Sequence, residues 1–383
     1  MTGAMSNDST TDQLHLPDLS ITNFRGIEDL TIPRLGRVTL ITGRNGVGKT
    51  TVLEAVRVYA ARGRSRLLDE MLWRCEEFVG ALDEDDDPEI IPDFKALFYG
   101  REPEQGSAIS IGPRNEHAAL TIQLLAPSVW TKEQPELFPD FNTDDDVWAL
   151  KIRFRESERT LPWLAIDEFQ SAQARRRPPR RIWNRWATEG WPEPTNCQTL
   201  GPGLMHTQEL AGLWSNVALT EEEDRATEAL QLLQDGIERI AIVGSAQRMR
   251  QSQRVIVKFA GQGSPVPLKS LGDGAVRIFG VALALANSQN GFLVIDEAEN
   301  GIHHTAQRDF WRLLLRTAQR NNVQVLATTH SWDCVAGFAR AACELDDVEG
   351  VLVRLEEDED GLRAVEYTES DLAVAAEQRI EVR

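Results

Sequence analysis

No apolar run in this chain approaches the roughly 20 residues that a membrane-spanning helix needs; the longest, such as Ile278 to Ala286, fall well short. No membrane contact through a span is expected. Cysteine is scarce, and Cys75, Cys197, Cys334 and Cys343 lack the paired spacing of metal ligands, so neither a zinc site nor a disulfide framework is indicated. Reduced, structural thiols in a cytoplasmic protein are the reading. Positive charge is also short: 41 Lys and Arg against 60 Asp and Glu leave a net charge of −19. Coating nucleic acid through bulk charge is thereby excluded, and any nucleic-acid contact must be local. Sustained heptads are missing, so no long coiled-coil arm extends from the chain. The start, Met1 to Asp12, has no basic segment followed by an apolar one, so it is not a secretory signal. Residues 1–14 are expected to be a flexible leader.

What is present fits a chain that folds in water: 383 residues, 42% hydrophobic and 26% charged. That length allows several domains or one large α/β unit with an insertion. Leu19 to Phe24, Leu30 to Ile32 and Val38 to Ile41 read as short strands, and Lys49 to Ala61 follows at helical spacing with Val52, Ala55, Val56 and Tyr59 on one face. Residues 65–235 differ in character, with acid runs at Asp83 to Asp87 and Asp144 to Asp146, many prolines and eight of the ten tryptophans. They read as an α/β insertion or lid with a helical subdomain. Within them Leu120 to Leu125 and Trp148 to Phe154 alternate like strands, and Leu210 to Leu233 carries a helical period with Thr220 and Glu223 as a candidate capping box. After Gly236 strands at Ile237 to Val243, Arg254 to Phe259, Phe292 to Ile295 and Val323 to Ala327 alternate with helices from Val276, Thr305 and Trp332. Gly350 to Tyr367 reads as a hairpin. The expected fold is α/β, a mainly parallel sheet with right-handed crossovers, the core being split between 15–64 and 236–383.

Gly43-Arg44-Asn45-Gly46-Val47-Gly48-Lys49-Thr50 fills the P-loop pattern between a strand and a helix. Its glycines let backbone N–H groups wrap a phosphate, the helix presents its positive end, Lys49 reaches the β and γ phosphates, and the Thr50 hydroxyl ligates magnesium. Leu293-Val294-Ile295-Asp296-Glu297 is an apolar strand ending in two carboxylates, as a Walker B strand does. Asp296 is then assigned to magnesium and Glu297 to the general base, with His303 or Glu299 next in line for that role. Ala327-Thr328-Thr329-His330 repeats the geometry, placing a histidine where it can donate to the γ-phosphate, while Ser331 caps the next helix.

These residues resemble a known family. Asn23-Phe24-Arg25-Gly26, Ser270-Leu271-Gly272-Asp273-Gly274, Asp296-Glu297-Ala298-Glu299-Asn300-Gly301-Ile302-His303 and Thr328-Thr329-His330-Ser331, in this order around the P-loop, look like the ABC-type ATPase heads of the RecF, SMC and OLD group, the OLD-type ATPases being closest. The resemblance covers about residues 15–64 and 236–345. It implies an ABC-type P-loop fold with an antiparallel β-subdomain, ATP and Mg2+ as cofactors, and a homodimer that sandwiches two nucleotides. Arg25, Gly43, Arg44, Asn45, Gly46, Val47, Gly48, Lys49, Thr50 and Thr51 would contact the nucleotide in one chain, and Ser270, Gly272 and Gly274 would act in trans. Glu297, His330 and Lys49 would be catalytic, and Thr50 and Asp296 would hold the metal. The sequence departs from the family where Gly272 replaces the usual serine and where His303 replaces the D-loop aspartate; Gln123 is a candidate for the Q-loop glutamine.

Only about 40 residues follow Ala342, too few for the TOPRIM nuclease domain that often follows such heads. The resemblance therefore implies an ATPase subunit acting on a separately encoded effector, such as a TOPRIM-type nuclease, in prokaryotic antiviral defence or DNA maintenance. A RecF-like DNA-repair ATPase and a nucleotide-dependent scaffold with negligible turnover are the alternatives. The basic run Arg175 to Arg185, interleaved with Trp183, fits a solvated loop folded onto the acid runs, a nucleic-acid contact or a protein partner. The acid surplus argues against its being a main source of DNA affinity.

Overall fold

Every residue of Val38–Gly43, Phe292–Ile295 and Gln324–Thr328 is buried, as continuous apolar strands covered on both faces must be. Successive residues of these strands feed two different cores. Val38, Leu40, Leu293, Ile295, Val325 and Ala327 join one, while Ile41, Phe292, Val294 and Leu326 join the other. That is the two-residue alternation of a pleated strand with apolar cover on each side.

The computed structural model describes residues 14–81, 89–126, 148–163, 191–231, 234–244, 253–345, 347–359 and 361–367. The leader up to residue 13, the two acid runs and the basic run at 175–185 lie outside them. The first elements are β1 (Leu19–Phe24), β2 (Ile27–Ile32), β3 (Val38–Gly43), α1 (Lys49–Ala60), α2 (Ser65–Arg74), β4 (Phe78–Ala81) and β5 (Glu89–Pro92). Next come β6 (Ala108–Gly112), β7 (Leu120–Leu125), β8 (Trp148–Phe154), β9 (Ser157–Trp163), β10 (Cys197–Leu200), α3 (Thr207–Val217) and α4 (Glu221–Gln231). Then follow β11 (Ile237–Gly244), β12 (Gln253–Phe259), β13 (Val266–Pro267), α5 (Asp273–Ala286), β14 (Phe292–Ile295) and α6 (Gln307–Arg320). The last are β15 (Gln324–Thr328), α7 (Trp332–Ala342), β16 (Gly350–Asp358) and β17 (Gly361–Tyr367).

One sheet runs β10-β14-β15-β3-β16-β17, parallel except for the final hairpin. A second, antiparallel sheet runs β2-β1-β6-β7-β8-β9. Strands from the 65–235 stretch thus extend the sheet begun by β1 and β2, through the pairing of Ile21 with Ile111, and β10 adds an edge to the parallel sheet. Helix α1 packs between the two sheets, against β3, β14 and β15 on one side and β1 and β6 on the other. Helices α3 to α7 share the opposite core with β11 and β12. The fold is therefore an ABC-type P-loop head, a mainly parallel sheet with an antiparallel β-subdomain. The helical stretch expected at Leu210 to Leu233 is two helices, because Leu219 adopts φ 64° between them. Thr220 Oγ1 accepts from the Glu222 N–H at 3.2 Å, and the Glu223 carboxylate accepts from the Leu219 N–H at 2.6 Å. These bonds cap α4 one residue earlier than the capping-box pattern specifies.

On α2, burial pushes the Asp69 carboxyl up to about 6, with no opposing positive charge among the causes. The folded state therefore holds this proton more tightly than the unfolded chain, whose carboxyl titrates near 3.9. Asp69 weakens the fold progressively as pH rises from about 4 to about 6, and fully above that. Asp69→Asn should raise the melting temperature at pH 8 by an amount equivalent to at most about 3 kcal/mol and leave it unchanged at pH 3. An equal gain at pH 8 and pH 3 would show that charge burial is not the cause.

Candidate active site

Three neighbouring parallel strands, β14, β15 and β3, end at one sheet edge, in register from Ile295 to Ala327 and from Ala327 to Leu40. Ligand groups of parallel sheets collect at this carboxyl edge. From β3 the chain turns through Gly43 to Gly48 into α1. Gly43 has φ 143°, and a Cβ there would lie 2.6 Å from the Leu355 carbonyl of β16; Gly48, at the entrance to α1, has φ 100°. Both positions demand glycine. The side chain of Val47 is buried in the core beneath the loop, while Arg44, Asn45 and Gly46 face solvent.

Lys49 Nζ donates to the Gly43 carbonyl at 2.8 Å and to the Arg44 carbonyl at 3.0 Å, bridging the loop's two ends. Burial lowers its pKa, and the nearby charges of Asp296, Glu299 and Glu297 oppose that shift. Thr50 Oγ1 donates to Asp296 Oδ2 at 3.2 Å, so the first turn of α1 meets the end of β14. A hydroxyl and a carboxylate oxygen at this separation form a hard-oxygen pair of the kind Mg2+ takes, with substrate phosphates and water completing its shell. Thr50 and Asp296 are the residues that fit it. Bound there, Mg2+ would neutralise charge on a phosphate tail.

Glu297 follows in a left-handed conformation, φ 49°, which a non-glycine residue holds only when its surroundings impose it. Its N–H donates to Thr328 Oγ1 at 3.0 Å, its carbonyl accepts from Arg277 Nη2 at 3.0 Å, and its carboxylate accepts from Asn300 Nδ2 at 2.6 Å. His330 stands beside it: His330 Nδ1 lies 3.8 Å from Glu297 Oε1 and 3.3 Å from Glu299 Oε1, and the His330 N–H donates to that same Glu299 oxygen at 3.1 Å. The site thus brings together Lys49, Thr50, Asp296, Glu297 and His330. Chemically it offers a backbone cradle with a cation for a phosphate chain, a metal-binding pair, and a partly exposed carboxylate to accept a proton from water.

Arg25 sits in the β1–β2 turn, with φ 53°, and its Nε pairs with Glu54 Oε2 of α1 at 3.1 Å. The adjacent Gly26 lies over the start of α1, a Cβ there coming within 4.0 Å of Thr51 Oγ1. Ser270, Gly272 and Gly274 stand at the entrance to α5, where Gly272 takes φ 94°; among the described residues no hydrogen bond or ion pair links them to the P-loop. Gly274 instead approaches the segment after β14, since a Cβ on Gly301 would lie 3.6 Å from the Gly274 nitrogen. His303 accepts from the Thr305 N–H, capping a short turn, and Gln123 lies within β7, donating to the Gly106 carbonyl at 3.4 Å.

Sequence reasoning assigned no role to Arg277, Thr328 or Asn300. Arg277 is 3% exposed and donates to four carbonyls, those of Gly201, Gly203, Asp296 and Glu297. Burial lowers its pKa against the pull of Glu299, Asp296 and Glu297. Its one advance signal is a charge inside an otherwise apolar helix.

Residues 147–333 match the family described as "AAA domain, putative AbiEii toxin, Type IV TA system", and residues 18–71 match a second AAA-domain family. The chain is 31% identical over 93 residues to the uncharacterized protein MJECL11 of Methanocaldococcus jannaschii, a match spanning 24% of this chain and 80% of that one. It is 21% identical over 340 residues to an ATP/GTP phosphatase of Helicobacter pylori, across 84% and 86% of the two chains. Among solved structures it resembles the SMC head bound to the C-winged helix domain of ScpA, with TM-score 0.47, 14% identity and 92% and 98% of the two chains covered. The SMC head domain from Thermotoga maritima is similar at TM-score 0.41 and 14% identity, covering 92% and 99%.

Lys49→Ala should weaken ATP binding by at least about 100-fold, since it removes the cation that spans the loop. Unchanged affinity in a fluorescence titration would reject the P-loop reading. The strand order and the joined P-loop and acidic strand end are those of an ABC-type P-loop head, and the matches to two AAA-domain families support an AAA-type ATPase.

Proposed function

We propose that the chain hydrolyses ATP with Mg2+ as an OLD-like ATPase subunit, and that ATP-driven homodimerisation controls a separately encoded effector, such as a TOPRIM-type nuclease, in antiviral defence or DNA maintenance. The observation that carries the switching part is Arg277. It belongs to α5, the helix that Gly272 caps and whose first turn contains Gly274, and its guanidinium holds the carbonyls of Asp296 and Glu297 at 2.9 and 3.0 Å. A displacement of α5 on dimer closure would therefore act directly on the two catalytic carboxylate residues. In this reading Ser270, Gly272 and Gly274 of one chain meet the nucleotide held by Lys49, Thr50, Thr51 and Arg25 of the other.

In each site Lys49 and the loop N–H groups hold the phosphates, Thr50 and Asp296 carry the metal, and Glu297 takes a proton from the attacking water. His330, oriented by Glu299, contacts the γ-phosphate. The Helicobacter pylori relative's name, ATP/GTP phosphatase, supports turnover over a purely scaffolding role. The toxin–antitoxin description of the matching AAA family supports an output directed at another component. No helix among the described residues is long and apolar enough to cross a membrane, which accords with the cytoplasmic location proposed here. Residues 15–64 and 236–383 form the split head in this reading, and 65–235 the insertion.

Glu297→Gln keeps shape and hydrogen bonding but removes the base, so it should bind ATP, turn over at least about 100-fold more slowly and accumulate as a dimer in size-exclusion chromatography with ATP. Dimer sharing is tested by mixing. Lys49→Ala and Gly274→Arg chains should each be inactive alone, yet a heterodimer carries one composite site with both defects and one with neither, so partial ATPase activity should return. No recovery, with both variants folded and Gly274→Arg still binding ATP, would reject the trans-acting sandwich.

A further inference from the structure

The hydroxyl of Thr328 occupies a position that nothing in the P-loop or acidic-strand patterns specifies. Strands β14 and β15 run parallel with Ile295 beside Ala327, so the next residue of β15, Thr328, stands beside Asp296. Thr328 is 1% exposed. Its Oγ1 donates to Asp296 Oδ1 at 2.5 Å and accepts from the Glu297 N–H at 3.0 Å. The direction of both bonds is forced: an amide can only donate, an ionised carboxylate can only accept, and the hydroxyl has one proton to give. One buried oxygen thus orients the carboxylate assigned to the metal and holds the backbone of the left-handed residue assigned as base. With Oδ1 engaged by Thr328, Oδ2 is the Asp296 oxygen nearer Thr50, at 3.2 Å.

We propose that Thr328 is a positioning residue for ATP hydrolysis, one that fixes the Asp296 carboxylate for Mg2+ and the Glu297 backbone for general-base action. The proposal rests on the ATPase reading above. Partners that orient a metal ligand typically change metal affinity or activity about 10- to 100-fold when removed. Valine has nearly the shape of threonine without either hydrogen bond, and serine keeps both bonds with one methyl fewer, so the two substitutions separate orientation from packing.

The test uses the full chain as wild type, Thr328→Val, Thr328→Ser and Thr328→Ala. Affinity for a fluorescent, non-hydrolysable ATP analogue is measured in EDTA, Mg2+ affinity of the protein–analogue complex by calorimetric titration, and kcat and KM for ATP separately. In Thr328→Val we expect metal-free nucleotide affinity within about 2-fold of wild type, Mg2+ affinity weaker by about 10- to 100-fold, and a fall in kcat exceeding any rise in KM. Thr328→Ala, which cannot overpack, should follow Thr328→Val, and Thr328→Ser should stay near wild type. A purely structural hydroxyl would lower the melting temperature without moving the Mg2+ titration, and that result overturns the proposal. So does a Thr328→Ser variant as impaired as Thr328→Val. A wild-type chain that binds no nucleotide overturns the ATPase reading itself, an outcome distinct from wild-type binding with an unaltered Thr328→Val.

Discussion

The contact between the Thr50 hydroxyl and the Asp296 carboxylate is the constraint on which the site depends, because it joins the helix after β3 to the end of β14 across an intervening strand. That intervening strand, β15, supplies the second hold on Asp296 through Thr328. A carboxylate gripped by hydroxyls from two sides keeps one orientation, which a metal ligand requires and a surface carboxylate lacks. The arrangement needs the three strands to end level, and their levels are set by pairing register and by the alternating apolar residues that fill the cores on both faces.

Charge balance completes the site. Asp296, Glu297 and Glu299 gather close enough to influence both Lys49 and Arg277, each of which burial alone would discourage from carrying charge. The two cations are used differently. Lys49 spans the P-loop, donating to the carbonyls of Gly43 and Arg44, whereas Arg277 is sealed among backbone carbonyls behind Asp296 and Glu297. A guanidinium suits the second task, since its fixed fork of donors can serve several carbonyls at once. It links α5 directly to the backbone of Asp296 and Glu297.

Much of this was legible in the sequence because the chemistry demands residue types at fixed spacing. Gly43 to Thr50 is such a case, the glycines standing where φ is positive and Lys49 and Thr50 opening the helix. The parallel strands β3, β14 and β15 were legible as apolar runs, whereas β10, Cys197-Gln198-Thr199-Leu200, carries no such run and was not; α7 and the final hairpin fall where periodicity and turn residues put them. Alternation in Leu120 to Leu125 and Trp148 to Phe154 marked strands but could not name their sheet, since a two-residue period reports a half-buried strand and not its neighbour. The break at Leu219 was marked in the sequence by the Thr220 and Glu223 capping pattern alone, since apolar spacing continues across it. Arg277 was illegible because it donates to backbone carbonyls, which every residue presents alike, while Thr328 and Asn300 divide their bonds between backbone groups and the carboxylates of Asp296 and Glu297, contacts that only the fold brings together.

The central claim is that Thr50 and Asp296 hold one metal ion against a nucleotide seated on Gly43 to Lys49. Crystals grown with Mn2+ and a non-hydrolysable ATP analogue test it most directly, because manganese takes magnesium-type oxygen sites and reveals itself by anomalous scattering. The account predicts an anomalous peak at coordination distance from Thr50 Oγ1 and beside Asp296, with the phosphates wrapped by the loop N–H groups. A nucleotide bound elsewhere, or a metal peak remote from Asp296, would contradict it.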